Sequence, residues 1–240
     1  MGSDRVSVDE RVVRGMRRQL DLRHERLAAG ARQVGWKLGF GSPSGLAALR
    51  LHRPLVGFLL DTGMLEDGDT VSLEGWRNPM LEAEIAVHVG PRASIAGVSA
   101  AIELADVHPP PRDVETVLAD DVFTRHVMLG PRLAGRTDSA GVVARIVVDG
   151  AEAAATDDVT ALVGGLGDAV RNAAETLAEC GERLEAGQVL MTGTVLPPLP
   201  VRPGQQVEVQ LSPLGTLRVG FGPAGHAAGQ PADQPAQSPQ

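Results

Sequence analysis

The chain has 240 residues, a formal net charge of −8, 43% hydrophobic and 22% charged residues, which suits one large domain with a sizeable core. The acidity argues against a nucleic-acid partner, since such binding draws on clustered positive charge. A lone Cys180 excludes an intrachain disulfide, no run of about eighteen apolar residues offers a membrane span, and the charged N-terminus lacks the apolar core of a secretion signal, so a cytoplasmic location is expected.

Taken in chain order, Val13, Met16, Leu20 and Leu27 recur at helical spacing behind a Ser7-x-x-Glu10 capping box. They predict an N-terminal helical segment within residues 1–30, from about Val8 to Ala29, ended by Gly30. Arg11, Arg14, Arg17, Arg18, Arg23 and Arg26 on it are interleaved with acids and read as a solvated face. Twenty-one of the 22 basic residues are arginine, and the one lysine, Lys37, lies in Gly35-Trp36-Lys37-Leu38-Gly39. Arginine keeps its charge, whereas a desolvated lysine can give up its proton, so the position suggests a need for an amine.

Next, Met80-Leu81-Glu82-Ala83-Glu84-Ile85-Ala86-Val87-His88-Val89 alternates with the period of a strand. Glu82, Glu84, Ala86 and His88 share one face, and two carboxylates so spaced can converge on one cation. Glu103 follows in the apolar stretch Ala100-Ala101-Ile102-Glu103-Leu104-Ala105-Asp106, where an ionised side chain needs a partner. An all-oxygen set favours Mg²⁺ or Mn²⁺ over Zn²⁺. Such an ion usually keeps positions open to an anionic ligand, which a nearby ammonium such as Lys37 would help to admit.

Beyond it, Asp67-Gly68-Asp69 and Asp149-Gly150 are turn signals among short apolar runs such as Val142 to Val148, which gives a strand-rich body. Gly164-Gly165-Leu166-Gly167 lacks the dinucleotide fingerprint and reads as a turn. Asp168 to Glu179 returns to helical spacing and is closed by Gly181. Cys180, with no nearby histidine, makes a poor nucleophile. Val207, Val209 and Leu211 alternate, Leu217 to Phe221 follow the Pro213-Leu214-Gly215 turn, and residues 223–240 read as a disordered tail behind a single catalytic domain over 1–222.

Five of these segments, in this order, resemble the fumarylacetoacetate hydrolase superfamily, in its 2-keto-4-pentenoate hydratase and 4-oxalocrotonate decarboxylase branch. They are Gly35 to Gly39 with Ser42, the stretch Pro54 to Asp69, Glu82-Ala83-Glu84, Glu103 with Asp106, and Leu184 to Thr194. The resemblance covers about Gly30 to Phe221. It implies an α+β, strand-rich fold, a mixed β-roll with flanking helices, and a homo-oligomer. It also implies Glu82, Glu84 and Glu103 as ligands of Mg²⁺ (or Mn²⁺), Lys37 as the catalytic amine, and Ser42, Gly193, Thr194 and Phe123 around the substrate. The implied activity is that of a metal-dependent lyase on a small-molecule 2-oxo or 2-hydroxydienoic acid through an enolate, hydratase-like. A 4-oxalocrotonate-type decarboxylase or an acylpyruvate C–C hydrolase is the alternative, and an inactive binding or assembly partner of an active homologue is the rival from another class.

Two departures bear on the reaction. Ala119-Asp120-Asp121-Val122-Phe123-Thr124-Arg125-His126 carries Phe123 where the hydratases have serine, which leaves Asp121, Thr124 or His126 to place a water. The segment between Glu84 and Glu103 is about a dozen residues shorter than in the relatives, which suggests a different pocket or lid. Asp106, Asp121, His88, His108 and His126 are the acid–base candidates. Lys37 is expected to have a lowered pKa, through burial beside a cation, so that it can move a proton near carbon 3.

Overall fold

The computed structural model describes residues 9–107 and 113–222. Ser7, His108 and the tail 223–240 lie outside them. Helix α1 (Glu10–Ala28) is capped by Asp9, whose side chain accepts the Arg11 N–H at 2.9 Å. Its buried stripe is Val12, Gly15, Met16, Gln19 and Leu20, one position away from the expected Val13. Gln19 is tolerated there because its Nε2 donates to the Val56 and Leu118 carbonyls at 3.0 and 3.1 Å. The arginine face is not merely solvated: Arg23 lies over the Trp36 ring and Arg26 over Phe58.

The strands follow as β1 (Gln33–Gly39), β2 (Leu55–Leu60), β3 (Met64–Leu65), β4 (Thr70–Ser72), β5 (Pro79–Val89) and β6 (Ile95–Asp106), with helix α2 (Pro43–Leu49) between the first two. After helix α3 (Val114–Ala119) come β7 (Thr124–Leu129), β8 (Leu133–Ala134), β9 (Val143–Val148) and β10 (Ala151–Thr156). Helix α4 (Leu166–Glu179) leads to β11 (Val189–Thr194), β12 (Leu199–Pro200), β13 (Gln206–Ser212) and β14 (Gly215–Gly222). The glycine-rich turn is therefore shorter than expected, since Gly165 caps α4 and Leu166 and Gly167 begin it. Asp149 and Gly150 both take positive φ in the β9–β10 hairpin, as the turn signal predicts.

Among the described residues the strands form a nine-stranded mixed sheet with the path β2-β1-β11-β5-β6-β7-β3, and a five-stranded sheet ordered β10-β9-β13-β14-β4. The fold is thus α+β and strand-rich, with curled mixed sheets and few helices, as expected. In the large sheet, Leu81, Ala83, Ile85 and Val87 of β5 join the main core, which also takes in Val207, Val209, Leu217 and Val219 of the smaller sheet and residues of all four helices. The opposite face holds a small second cluster of Leu59, Ala86, Ala101, Val127, Val189 and Met191. Glu82 and Glu84 belong to that second face by the two-residue period of a strand. No helix among the described residues is long and apolar enough to cross a membrane.

Candidate metal centre and active site

Register does most of the assembly. In the antiparallel β5–β6 pair Glu82 sits directly opposite Glu103, and Glu84 opposite Ala101. Directly opposed like charges are destabilising on a sheet, so this pairing calls for a compensating cation. An oxygen from each of Glu82, Glu84 and Glu103 lies within 4.8 Å of the other two. Glu84 and Glu103 are buried, Glu82 half so.

Lys37 reaches the same spot from β1, 2% exposed. Its Nζ lies 2.8 Å from Glu103 Oε1 and donates to the Val122 carbonyl at 3.1 Å. The Thr124 hydroxyl donates to the same Glu103 oxygen at 2.9 Å, and the Gly193 N–H donates to Glu84 Oε2 at 2.9 Å. Two carboxylate oxygens, Glu84 Oε1 and Glu103 Oε2, are buried with no hydrogen-bond partner. Orphaned buried anionic oxygens are costly. A hard divalent ion shared by the three glutamates satisfies both, and the donor set of oxygens alone fits Mg²⁺ or Mn²⁺.

The charges of this cluster oppose one another. Burial and the neighbouring Glu103 push Glu82 up to about 7, and burial with the Glu103 and Glu82 charges holds Glu84 well above its ordinary value. Burial pulls Lys37 down, but Glu103 and Glu82 outweigh it, so its pKa is raised. In the metal-free cluster the amine is thus held charged by the carboxylates around it, whereas the lowered value expected of Lys37 is one beside a bound cation.

The remaining candidates divide. Phe123 and Ser42 line the cavity above the cluster, where Ser42 also caps α2 by accepting the Gly45 N–H at 3.1 Å. Gly193 and Thr194 line it too, but their donors are committed, the N–H to Glu84 and the hydroxyl to the Leu196 and Ala83 carbonyls, rather than free for a substrate carboxylate. Asp121 is buried near Lys37, accepts the Phe58 N–H at 2.8 Å, and is raised well above its ordinary value chiefly by burial. Asp106 does not join the cluster. It alternates to the other face of β6 from Glu103 and accepts the Arg77 and Asn78 N–H groups.

The two candidate histidines among the described residues lie elsewhere. His88 shares the glutamate face but sits four residues beyond Glu84, roughly 13 Å along the strand, where its Nε2 meets Ser99 Oγ at 3.1 Å. His126 pairs with Leu104, not Glu103, and so takes the opposite face, stacked on Trp76 at 6.0 Å. Burial lowers the pKa of each. The short connection between β5 and β6 is a tight hairpin at the far end from the carboxylates, and none of its residues lines the cavity. Cys180 is partly buried with its thiol pushed up by burial, which suits no nucleophile.

Four contributors carried no readable signal. Gly57 faces Lys37 across the β1–β2 pair, and a Cβ there would lie 2.9 Å from Lys37 Cε and 3.0 Å from Asp121 Oδ1, so the lysine stem needs the missing side chain. The Val122 carbonyl is delivered by Asp121, Val122 and Phe123, all at positive φ (49°, 53° and 69°). Consecutive left-handed residues other than glycine are strained and cluster at functional sites. Asn78 and Met80 also line the cavity.

A strand-rich roll that gathers three acids and a buried lysine on one sheet face defines a class, and the chain belongs to the fumarylacetoacetate hydrolase family: the pattern described as "Fumarylacetoacetate (FAA) hydrolase C-terminal" matches residues 46–221. It is 30% identical over 227 residues to a 4-oxalocrotonate decarboxylase of Pseudomonas putida, covering 85% of this chain and 83% of that one. A 2-hydroxyhexa-2,4-dienoate hydratase of Comamonas testosteroni is 29% identical, with 82% and 81% covered. Among solved structures, the 4-oxalocrotonate decarboxylase from Pseudomonas putida G7 complexed with magnesium and adipate superimposes with a TM-score of 0.77, at 26% identity, over 86% of this chain and 84% of that one.

Proposed function

We propose that the protein is a divalent-metal-dependent lyase acting on a 2-oxo or 2-hydroxydienoic acid, with hydration as the leading reaction. The observation that carries this reading is the pair of orphaned carboxylate oxygens on Glu84 and Glu103, set beside a buried lysine at the end of a cavity. Glu82, Glu84 and Glu103 are the residues to hold Mg²⁺ or Mn²⁺. When bound, that ion supplies Lewis-acid stabilisation of negative charge on an organic anion. The relatives support the class, since a decarboxylase and a hydratase both match over most of the chain.

The chain's own groups do the rest. Lys37, held charged by Glu103 and anchored by the Val122 carbonyl, neutralises the incoming anion. Thr124 fixes the Glu103 oxygen that faces Lys37, and so orients the pair. Ser42 and Asn78 offer polar contacts in the cavity, and Phe123 keeps water away from one side. Asp121 is a positioning residue that holds the strained turn against β2 through Phe58.

The decarboxylase match favours a second reading, loss of carbon dioxide from a related 2-oxo acid at the same centre. A purely structural partner fits less well, because a buried cluster of like charges costs stability that only a ligand repays. On the same reading residues 1–222 work as one catalytic domain, in the cytoplasm and as a homo-oligomer, and sedimentation of the purified protein tests the last. The deciding experiment adds Mg²⁺ to metal-free protein with 2-hydroxypenta-2,4-dienoate, 4-oxalocrotonate or an acylpyruvate, and follows ultraviolet loss of the conjugated species. Metal-dependent loss of the dienoate is expected. Silence with all three, and with a 2-hydroxydienoate of longer alkyl tail, sinks the lyase reading.

A further inference from the structure

The cavity that ends at Lys37 and Glu82 has a volume of about 420 Å³. That falls within the roughly 300–1,000 Å³ of small-molecule sites, which hold ligands larger than a five-carbon hydroxydienoate. The lysine end is buried, while Ala48, Pro197 and Pro198 at the other are exposed and mark the mouth. Between them the wall is built from Phe40, Met80, Val107, Phe123, Leu162 and Val163. Phe40 and Phe123 meet edge to face with centroids 6.3 Å apart, which fixes both rings.

Among the described lining residues Lys37 is the single cation, and Glu103 already engages it at 2.8 Å. Apart from the neutral Ser42, Ser44 and Asn78, a second carboxylate at the tail of a substrate would meet aromatic and aliphatic carbon and no cation among these residues, where an unpaired charge is strongly disfavoured. A methylene there would be favoured instead. We infer that the site selects 2-oxo monocarboxylates whose apolar tail extends beyond five carbons, and discriminates against diacids of equal length. This rests on the metal-centre reading above and names its substrate class.

The test is calorimetric titration of the Mg²⁺-loaded protein with oxalate, which has no tail, then with 2-oxo monoacids of five to eight carbons, then with the matching 2-oxo diacids. Affinity is expected to rise about fourfold for each buried methylene, the fold-change equivalent of ~0.8 kcal/mol, and each diacid to bind at least tenfold more weakly than its monoacid. Leu162→Ser and, separately, Phe123→Ser should flatten the chain-length slope, with the thermal midpoint reporting whether each variant folds. Oxalate that fails to bind in a Mg²⁺-dependent way overturns the metal centre and this inference together. Oxalate that binds while the series stays flat, or while a diacid equals its monoacid, overturns the selectivity alone. A slope unchanged in both variants would remove the proposed wall.

Discussion

Lys37–Glu103 and the Arg14–Glu115 pair both tie together residues far apart in sequence, at the same 2.8 Å separation, yet they belong to different kinds of chemistry. Arg14 and Arg18 converge on Glu115 from α1 to α3 in contact with water, where charges keep most of their hydration. Lys37 and Glu103 have lost theirs, and two further carboxylates crowd the same point. Equal distances therefore say little about energetic weight. The buried pair reads as a site kept for function at the expense of stability, and the exposed one as a solvated tether.

The comparison breaks most readily at the glutamates. Glu84→Ala should abolish Mg²⁺ binding and reduce turnover by at least about a thousandfold, while circular dichroism shows a folded protein; unchanged affinity would take Glu84 out of the ligand set. Lys37→Met removes one partner of a buried pair, which should cost the metal-free protein about 3–5 kcal/mol, measured by denaturant titration. Glu82→Gln should act in the opposite sense: it relieves repulsion with Glu103, so the metal-free protein is expected to melt higher although activity is lost.

Acidity sharpens the same contrast. Folded Glu82, pushed up to about 7 by burial and Glu103, binds its proton more tightly than the unfolded side chain with its ordinary value of 4.5. Glu84 shifts the same way. The folded form then carries more protons between those values, so the metal-free protein should lose stability as pH rises from about 4.5 through 7. Saturating Mg²⁺ should restore it at neutral pH; a melting temperature that climbs with pH in the absence of metal would contradict the cluster. The smallest effect is expected at the surface, where Arg14→Ala should leave the melting temperature unchanged, and a large drop would mean that α1 is pinned by charge rather than by Met16, Gln19 and Leu20.

What could be read in the sequence follows from how local the signals are. The alternation around Glu82 and Glu84 is a property of ten adjacent residues, and a charge alone in an apolar run singles out Glu103. The same period misleads where distance along a strand or facing matters. His88 points the same way as Glu84 yet lies too far along, and His126 and Asp106 are one residue out of phase with Val127 and Glu103. The 121–123 turn was out of reach for another reason: positive φ at Val122 and Phe123 is imposed by surrounding structure, and neither residue type favours it. Gly57 matters only through what packs against it, which is a fact of three dimensions.

That turn has one more consequence. Its middle residue supplies the carbonyl that holds the lysine and its last residue supplies a ring to the cavity wall, so the two are mechanically coupled by a single peptide unit. Any exchange of the ring that lets the backbone relax toward an ordinary conformation would drag the amine's tether along with it. Evolution toward new substrates would thus be freer from the Leu162 and Val163 side, where the opposing wall can vary without loosening the grip on the reactive nitrogen.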